Sequence, residues 1–213
     1  GANVGLVDVR PETLNLDMAQ IPAEADAVVA VHYAGLPVDL RGMKVRPRVV
    51  IEDAAHALGV STPDGPVGNC ARSDLCMFSF HPVKPITTGE GGIVTTNDDS
   101  LAHELRQFRS HDIERTPDHG AWTYRISELG FNYRMTDIQA ALGLSQLTKL
   151  DTFIQRRNEL ADRYRAMLAS LPVVLPPEAP PGFTHGYHLF AIRVRDRERV
   201  FEGLRSAGIG VQV

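Results

Sequence analysis

The chain has 213 residues, 43% of them hydrophobic and 23% charged, a balance that suits a globular protein with enough apolar material for a real core. Its formal net charge of -4, with acids and bases interspersed, excludes the basic footprint of a nucleic-acid binder and the polybasic patch of a membrane-surface protein. No apolar run reaches the roughly 18 residues of a membrane span, and no basic segment followed by an apolar one opens the chain, so a cytoplasmic location is expected. Partners are then small molecules or another subunit. Cys70 and Cys76 are too few for a zinc site and are spaced unlike a CxxC pair, which leaves them as small core residues in a reducing compartment, with no metal expected.

Residues 4–9 read as a first strand entered almost at once after Gly1. Short β-branched or apolar runs at 28–32, 49–52, 75–80 and 92–96 then alternate with helical patterns, which predicts an α/β sheet. These runs are apolar on both faces, as strands covered by helices on each side should be. Ligands in such sheets sit beyond the carboxyl ends of the strands, so those ends are the places to look for chemistry. Asp98 can cap a helix running to about Arg109, and the polar stretch 110–123, with Pro117 and Gly120, reads as an irregular surface loop.

Thr136 followed by Gln139 forms a capping box that opens a long helix to about Ser170, with Ile138, Leu142, Leu147, Leu150 and Ile154 as its apolar stripe. Such a helix would span roughly 50 Å and bridge two domains. We therefore expect most of a large domain over 1–155 and the start of a smaller α/β domain over 156–213. In the second unit, a proline-rich linker at 172–182 precedes a strand at 187–194, a helix at 197–207 and a last strand at 209–213. A chain that opens and closes on strands in this way reads as a fragment of a longer protein.

Asp53 and His56 follow the run Val49-Val50-Ile51-Glu52, where a sheet presents side chains to a ligand. Asp53 either caps the next turn or supplies an anion that keeps a cofactor's ring nitrogen protonated. His56 is either a satisfied core histidine or part of the same site. Lys84 lies among Pro82, Pro85, Thr87 and Thr88 ahead of Gly89, Gly91 and Gly92, unlike the solvated helix faces where most lysines occur. A lysine that attacks an aldehyde must be neutral, which desolvation and nearby positive charge favour. Ser79, five residues before Lys84, could donate its hydroxyl to a phosphate or be an ordinary strand-end serine. His111, His119, His185 and His188 lack ligand-like spacing and are expected to be structural or surface residues, with His185 a weak candidate on the substrate side.

Four motifs in order carry a family resemblance: Glu52-Asp53-Ala54-Ala55-His56, Ser79-Phe80-His81-Pro82-Val83-Lys84, Gly89-Glu90-Gly91-Gly92 and Gly130-Phe131-Asn132-Tyr133-Arg134-Met135. Together with Gln139-Ala140-Ala141 and Gln146-Leu147, they resemble the DegT/DnrJ/StrS-type sugar aminotransferases over essentially the whole chain. The resemblance implies a fold type I large domain with three α/β layers and a smaller C-terminal α/β domain, both incomplete here. It implies pyridoxal 5'-phosphate (PLP) as cofactor, joined as a Schiff base to Lys84. Asp53 would partner the pyridine nitrogen, His56 would lie beside the phenolic oxygen, and Ser79 would bind the phosphate. Asn132 would reach the phosphate of a neighbouring subunit, giving a homodimer with shared active sites.

The implied substrates are glutamate and a nucleotide-linked 4-keto sugar. The stretches His32-Tyr33-Ala34-Gly35-Leu36-Pro37 and His81-Pro82-Val83-Lys84-Pro85-Ile86-Thr87-Thr88 look especially like the branch that aminates UDP-4-keto-6-deoxy-N-acetyl-hexosamines on the route to pseudaminic acid. The family also places a phosphate-binding turn and an aromatic that stacks on the cofactor ring ahead of the first strand; neither is in this sequence. Two other readings remain open here: a dehydratase on the same fold, against which Lys84 argues because histidine replaces it there, and a non-catalytic binding or regulatory protein that keeps the fold.

Overall fold

A computed structural model of the chain describes residues 1–116, 120 and 122–213. Its main sheet has four strands, β1 (Ala27–Val31), β2 (Val49–Asp53), β5 (Leu75–Ser79) and β6 (Gly92–Thr95), in the order β1-β2-β5-β6. The first three run parallel, and β6 returns antiparallel to β5. A two-residue hairpin, β3 (Ser61–Thr62) with β4 (Gly65–Pro66), lies between β2 and β5.

All four expected strands form, but the sheet is buried on one face only. Ala30, Val50, Cys76 and Phe78 point inward, while Val29, Val31, Met77 and Val94 are exposed on the other side. The apolar character of these residues is that of strands with a cover on each face. The inward face feeds two packed clusters, one of Met18, Ala30, Val38, Leu40 and Val50, the other of Ala54, Ala57, Val60, Cys70, Cys76 and Phe78. Cys70 and Cys76 are both free and buried, and burial pushes the Cys76 thiol well up.

Helix α1 (Asp99–Arg109) begins as the sequence indicates, with the Asp98 carboxylate accepting from the Ser100 and Leu101 amides. The stretch that follows contains a hairpin, β7 (Ile113–Arg115) with β8 (Tyr124–Ile126), where an irregular loop was expected. Its arms are three residues each, too few to stand out against a polar background. Pro117 and His119 lie outside the described residues.

The long helix divides in two, α2 (Asp137–Leu147) and α3 (Leu150–Leu168). The Thr136 and Gln139 capping box is present. The break comes at Thr148 and Lys149, where the Lys149 amide bonds back to Gln146 and the Thr148 hydroxyl to Ser145. The change of direction seats Leu150 against Gly59, where no Cβ could fit. Of the expected stripe, Leu150 is buried while Ile138, Leu142 and Leu147 are exposed. At 19 residues, α3 spans about 28 Å rather than 50 Å.

Beyond α3, β9 (Val173–Val174) pairs antiparallel with β10 (Arg193–Val194), and α4 (Arg197–Ser206) forms where expected. The expected strand at 187–194 is thus reduced to two residues. Residues 4–9 contribute a single bridge, Val9 to Leu16, and 209–213 form no strand. A strand needs a neighbour to satisfy its backbone, and beyond the Val9 bridge neither terminal run has one among the described residues.

Candidate active site

Parallel pairing of β2 and β5 puts their carboxyl ends side by side, with Asp53 opposite Met77 and the Ala54 amide extending the ladder to the Met77 carbonyl. Asp53 and Ser79 are the last residues of those two strands. Asp53 Oδ1 accepts from the Ala55 amide at 3.1 Å, and Oδ2 has no hydrogen-bond partner among the described residues. Three residues on, His56 is half-buried with Nδ1 enclosed and unpartnered, its ring 4.3 Å from that of His188 at 34°. Ser79 Oγ accepts from the His81 amide at 3.3 Å.

Lys84 is carried by the loop from Phe80 to Gly91, whose ends are joined by the Phe80 amide donating to the Gly91 carbonyl at 2.8 Å. The Thr87 hydroxyl and the Thr88 amide both donate to the Phe80 carbonyl, so the threonines after the lysine hold the loop closed. Gly91 and Gly92 are needed for close approach. A Cβ on Gly91 would strike Thr88 Oγ1, and one on Gly92 would lie 2.8 Å from the Phe78 carbonyl oxygen. Helix α2 is pinned to this loop by Gln139, whose side-chain amide donates to the Glu90 carbonyl at 3.0 Å. Lys84 is half-buried and makes no ion pair among the described residues.

Electrostatics tie these pieces into one site. Burial, then the Lys84 charge, hold His56 below the ordinary histidine range, and Asp53 opposes them. Burial pushes His188 down to about 4, helped by the positive charge of His56, Lys84 and Arg157. The lysine's field therefore reaches both imidazoles and disfavours their charged forms. His188 was not singled out from the sequence. Its spacing carries no signal, because it comes to His56 through the tertiary path of residues 185–188.

The other expected residues are placed differently. Asn132 is exposed on a segment bridged to Ser110 at the end of α1, and no hydrogen bond joins it to Lys84, Asp53 or His56 among the described residues. His185 is buried, accepts from the Tyr187 amide at Nδ1 and stacks on the Tyr187 ring at 3.8 Å, which makes it a core residue. His111 sits at the turn after α1, in the left-handed region at φ 64. No group of three or more His, Cys, Asp or Glu able to hold a metal ion occurs among the described residues.

Behind Asp53 lies a buried polar network. The Val38 amide donates to His32 Nδ1 at 3.1 Å, so the proton is on Nε2, which donates to Glu52 at 2.9 Å. Ser73 donates to the other Glu52 oxygen. Burial raises the Glu52 carboxyl, but the hydrogen bonds from His32 and Ser73 outweigh it and hold the group below its usual value. We expect Glu52→Ala to cost about 2–4 kcal/mol in urea denaturation, because the His32 and Ser73 donors lose their acceptor in the core. A loss under about 0.5 kcal/mol would show the network to be idle.

The residues present fit an anionic aldehyde cofactor. An amine without a counter-ion, a carboxylate with a free oxygen and two enclosed imidazole nitrogens without protein partners converge where strands of a parallel sheet end. The family model for DegT/DnrJ/EryC1/StrS aminotransferases matches residues 1–213. The chain belongs to this family.

Among curated relatives, the uncharacterized protein MJ1066 of Methanocaldococcus jannaschii is 34% identical over 97% of this chain and 58% of its own length. The chain thus spans a little over half of that relative. Among solved structures, the putative sugar aminotransferase Spr1654 of Streptococcus pneumoniae in its PMP form superposes with a TM-score of 0.87 at 28% identity, covering 100% of this chain and 61% of that one. The same protein is also known in a PLP form. PseC of Helicobacter pylori, an aminotransferase involved in the biosynthesis of pseudoaminic acid, matches with a TM-score of 0.82 at 30% identity over 95% of this chain and 57% of that one. The mixed α/β sheet of the DegT-type chain is the PLP-dependent sugar aminotransferase fold, present here in part. No described helix is long and apolar enough to cross a membrane.

Proposed function

We propose that the protein carrying this chain transfers an amino group from glutamate to carbon four of a UDP-linked 4-keto-6-deoxy sugar, using PLP held by Lys84. The observation that carries this reading is the convergence of Lys84, Asp53 and His56 at the carboxyl ends of β2 and β5, with the Lys84 charge felt at His56. PLP would supply an electron sink at the amino-bearing carbon. Lys84 would hold it covalently and would move the proton at that carbon. Asp53, through its free Oδ2, would hold the ring nitrogen's proton. His56 would meet the ring oxygen, and Ser79 at the end of β5 would donate to the phosphate.

Asn132 serves the partner subunit's phosphate in a homodimer, a reading supported by its exposed position beside an exposed aromatic cluster in which Phe131 stacks on Tyr133 at 4.8 Å. The division into a large domain over 1–155 and a smaller one over 156–213 belongs to the same reading, with α3 as the connecting helix, and so does a cytoplasmic site of action in glycan precursor synthesis. Likeness to PseC supports the UDP-linked branch. A non-catalytic binding or regulatory protein on this fold is the second reading.

The intact protein, incubated with glutamate and a panel of UDP- and dTDP-linked 4-keto sugars, should aminate the UDP-linked 4-keto-6-deoxy-N-acetyl-hexosamine fastest, as followed by 2-oxoglutarate release. Turnover of dTDP-linked sugars alone would remove the UDP branch. No turnover of any sugar, with PLP bound, would favour the non-catalytic reading.

A further inference from the structure

The segment that delivers His188 is built into the sheet end. Its backbone threads between the loops after β1 and β2: the Gly186 amide donates to the Gly35 carbonyl and the His188 amide to the Ala34 carbonyl, each at 2.8 Å. Gly35, at φ 98, admits this approach because a Cβ there would lie 2.9 Å from the His56 carbonyl oxygen and 3.2 Å from Gly186 Cα. From the other side, α3 holds the same segment, with Asn158 donating to the His185 carbonyl at 2.9 Å and Arg157 to the Tyr187 carbonyl at 3.1 Å. The backbone that carries His188 is therefore held on two sides.

The Nδ1 atoms of His56 and His188 are both enclosed and unpartnered, so no hydrogen bond there sets the plane of the His56 imidazole, and rotation about its second torsion is soft. The flat surface against it is His188, with ring centroids 4.3 Å apart. We propose that His188 is a positioning residue of this site: stacked on His56, it fixes the plane in which the His56 imidazole meets the ring oxygen of the bound cofactor. This rests on the reading of Lys84, Asp53 and His56 given above. The charged groups that bear on the imidazole pair are Lys84 from the loop after β5, Asp53 from β2 and Arg157 from α3.

A donor on the ring oxygen competes for it with the protonated nitrogen of the Lys84 linkage, so losing the donor raises the pH midpoint at which the absorbance of the lysine-bound cofactor changes. In the intact protein, His56→Phe should raise that midpoint by about one pH unit. His188→Ala should raise it by a similar amount, and the double variant should go no further than either alone. His188→Phe, which keeps a ring to stack on, should stay near the unsubstituted protein. A purely structural His188 would shift the melting temperature of His188→Ala and leave the midpoint alone. An unmoved midpoint, or effects that add in the double variant, overturns the proposal. A second readout needs no cofactor: in the unliganded protein, His188→Ala should raise the NMR titration midpoint of His56 towards that of a free histidine, and an unchanged midpoint also overturns the proposal. If the unsubstituted protein takes up no PLP, the Lys84 reading fails on its own account, while the NMR result still decides whether His188 sets the state of His56.

Discussion

Lys84→Ala should abolish the absorbance of the lysine-bound cofactor and reduce amino transfer by at least about 10³-fold, within the range of a lost proton-transfer group. The amine is the group in this site that can join an aldehyde covalently, and Asp53, His56 and Ser79 offer only hydrogen bonds and charge. Lys84→Arg separates the two contributions of the side chain. It keeps a positive charge beside His56 and His188, so it should preserve their low titration midpoints, yet it should be as inactive as Lys84→Ala. Stopped absorbance and 2-oxoglutarate assays on both variants decide the matter. Retention of the band by either variant sinks the assignment of Lys84.

Acidification should destabilise the chain between pH 6.5 and 4, and His185 should account for much of the loss. Burial, then the charge of Arg165, pushes the His185 midpoint from 6.5 down to about 4. Across that window the unfolded chain binds a proton that the folded chain does not. The neutral histidine therefore contributes its full stability above pH 6.5, and this is lost as pH falls, by about 3 kcal/mol at pH 4. His188 adds in the same direction. Urea denaturation at pH 7 and pH 4 should show the loss. His185→Phe, which keeps a ring against Tyr187 at 3.8 Å and removes the titration, should shrink the difference between the two pH values by a comparable amount. An unchanged difference would assign the acid sensitivity to other groups.

The residues found from the sequence and those missed differ in how locally their positions are determined. Asp53 and Ser79 were proposed from the sequence because they end runs whose β-branched and apolar content marks a strand, and Lys84 because prolines and a glycine turn flank it; a parallel sheet gathers strand ends. The Thr136 cap was legible because its partner Gln139 is three residues away. His188 was not, because its place depends on backbone bonds to Ala34 and on Arg157 and Asn158 reaching from α3. The break at Thr148 escaped for the same reason: helical periodicity continues through it, and only the seating of Leu150 against Gly59 makes the turn worthwhile.

The sequence by itself determined the strands of the sheet, the capped helices, the lysine-bearing loop with its glycine turn, and through ordered motifs the DegT-type family. These features are written in spacings of a few residues, where backbone geometry and side-chain chemistry act directly. The tertiary structure alone decided that the long helix divides and that a histidine from the C-terminal part stacks on His56. Each of those depends on which distant surfaces meet, and packing across the fold leaves no periodic trace in the chain that supplies it.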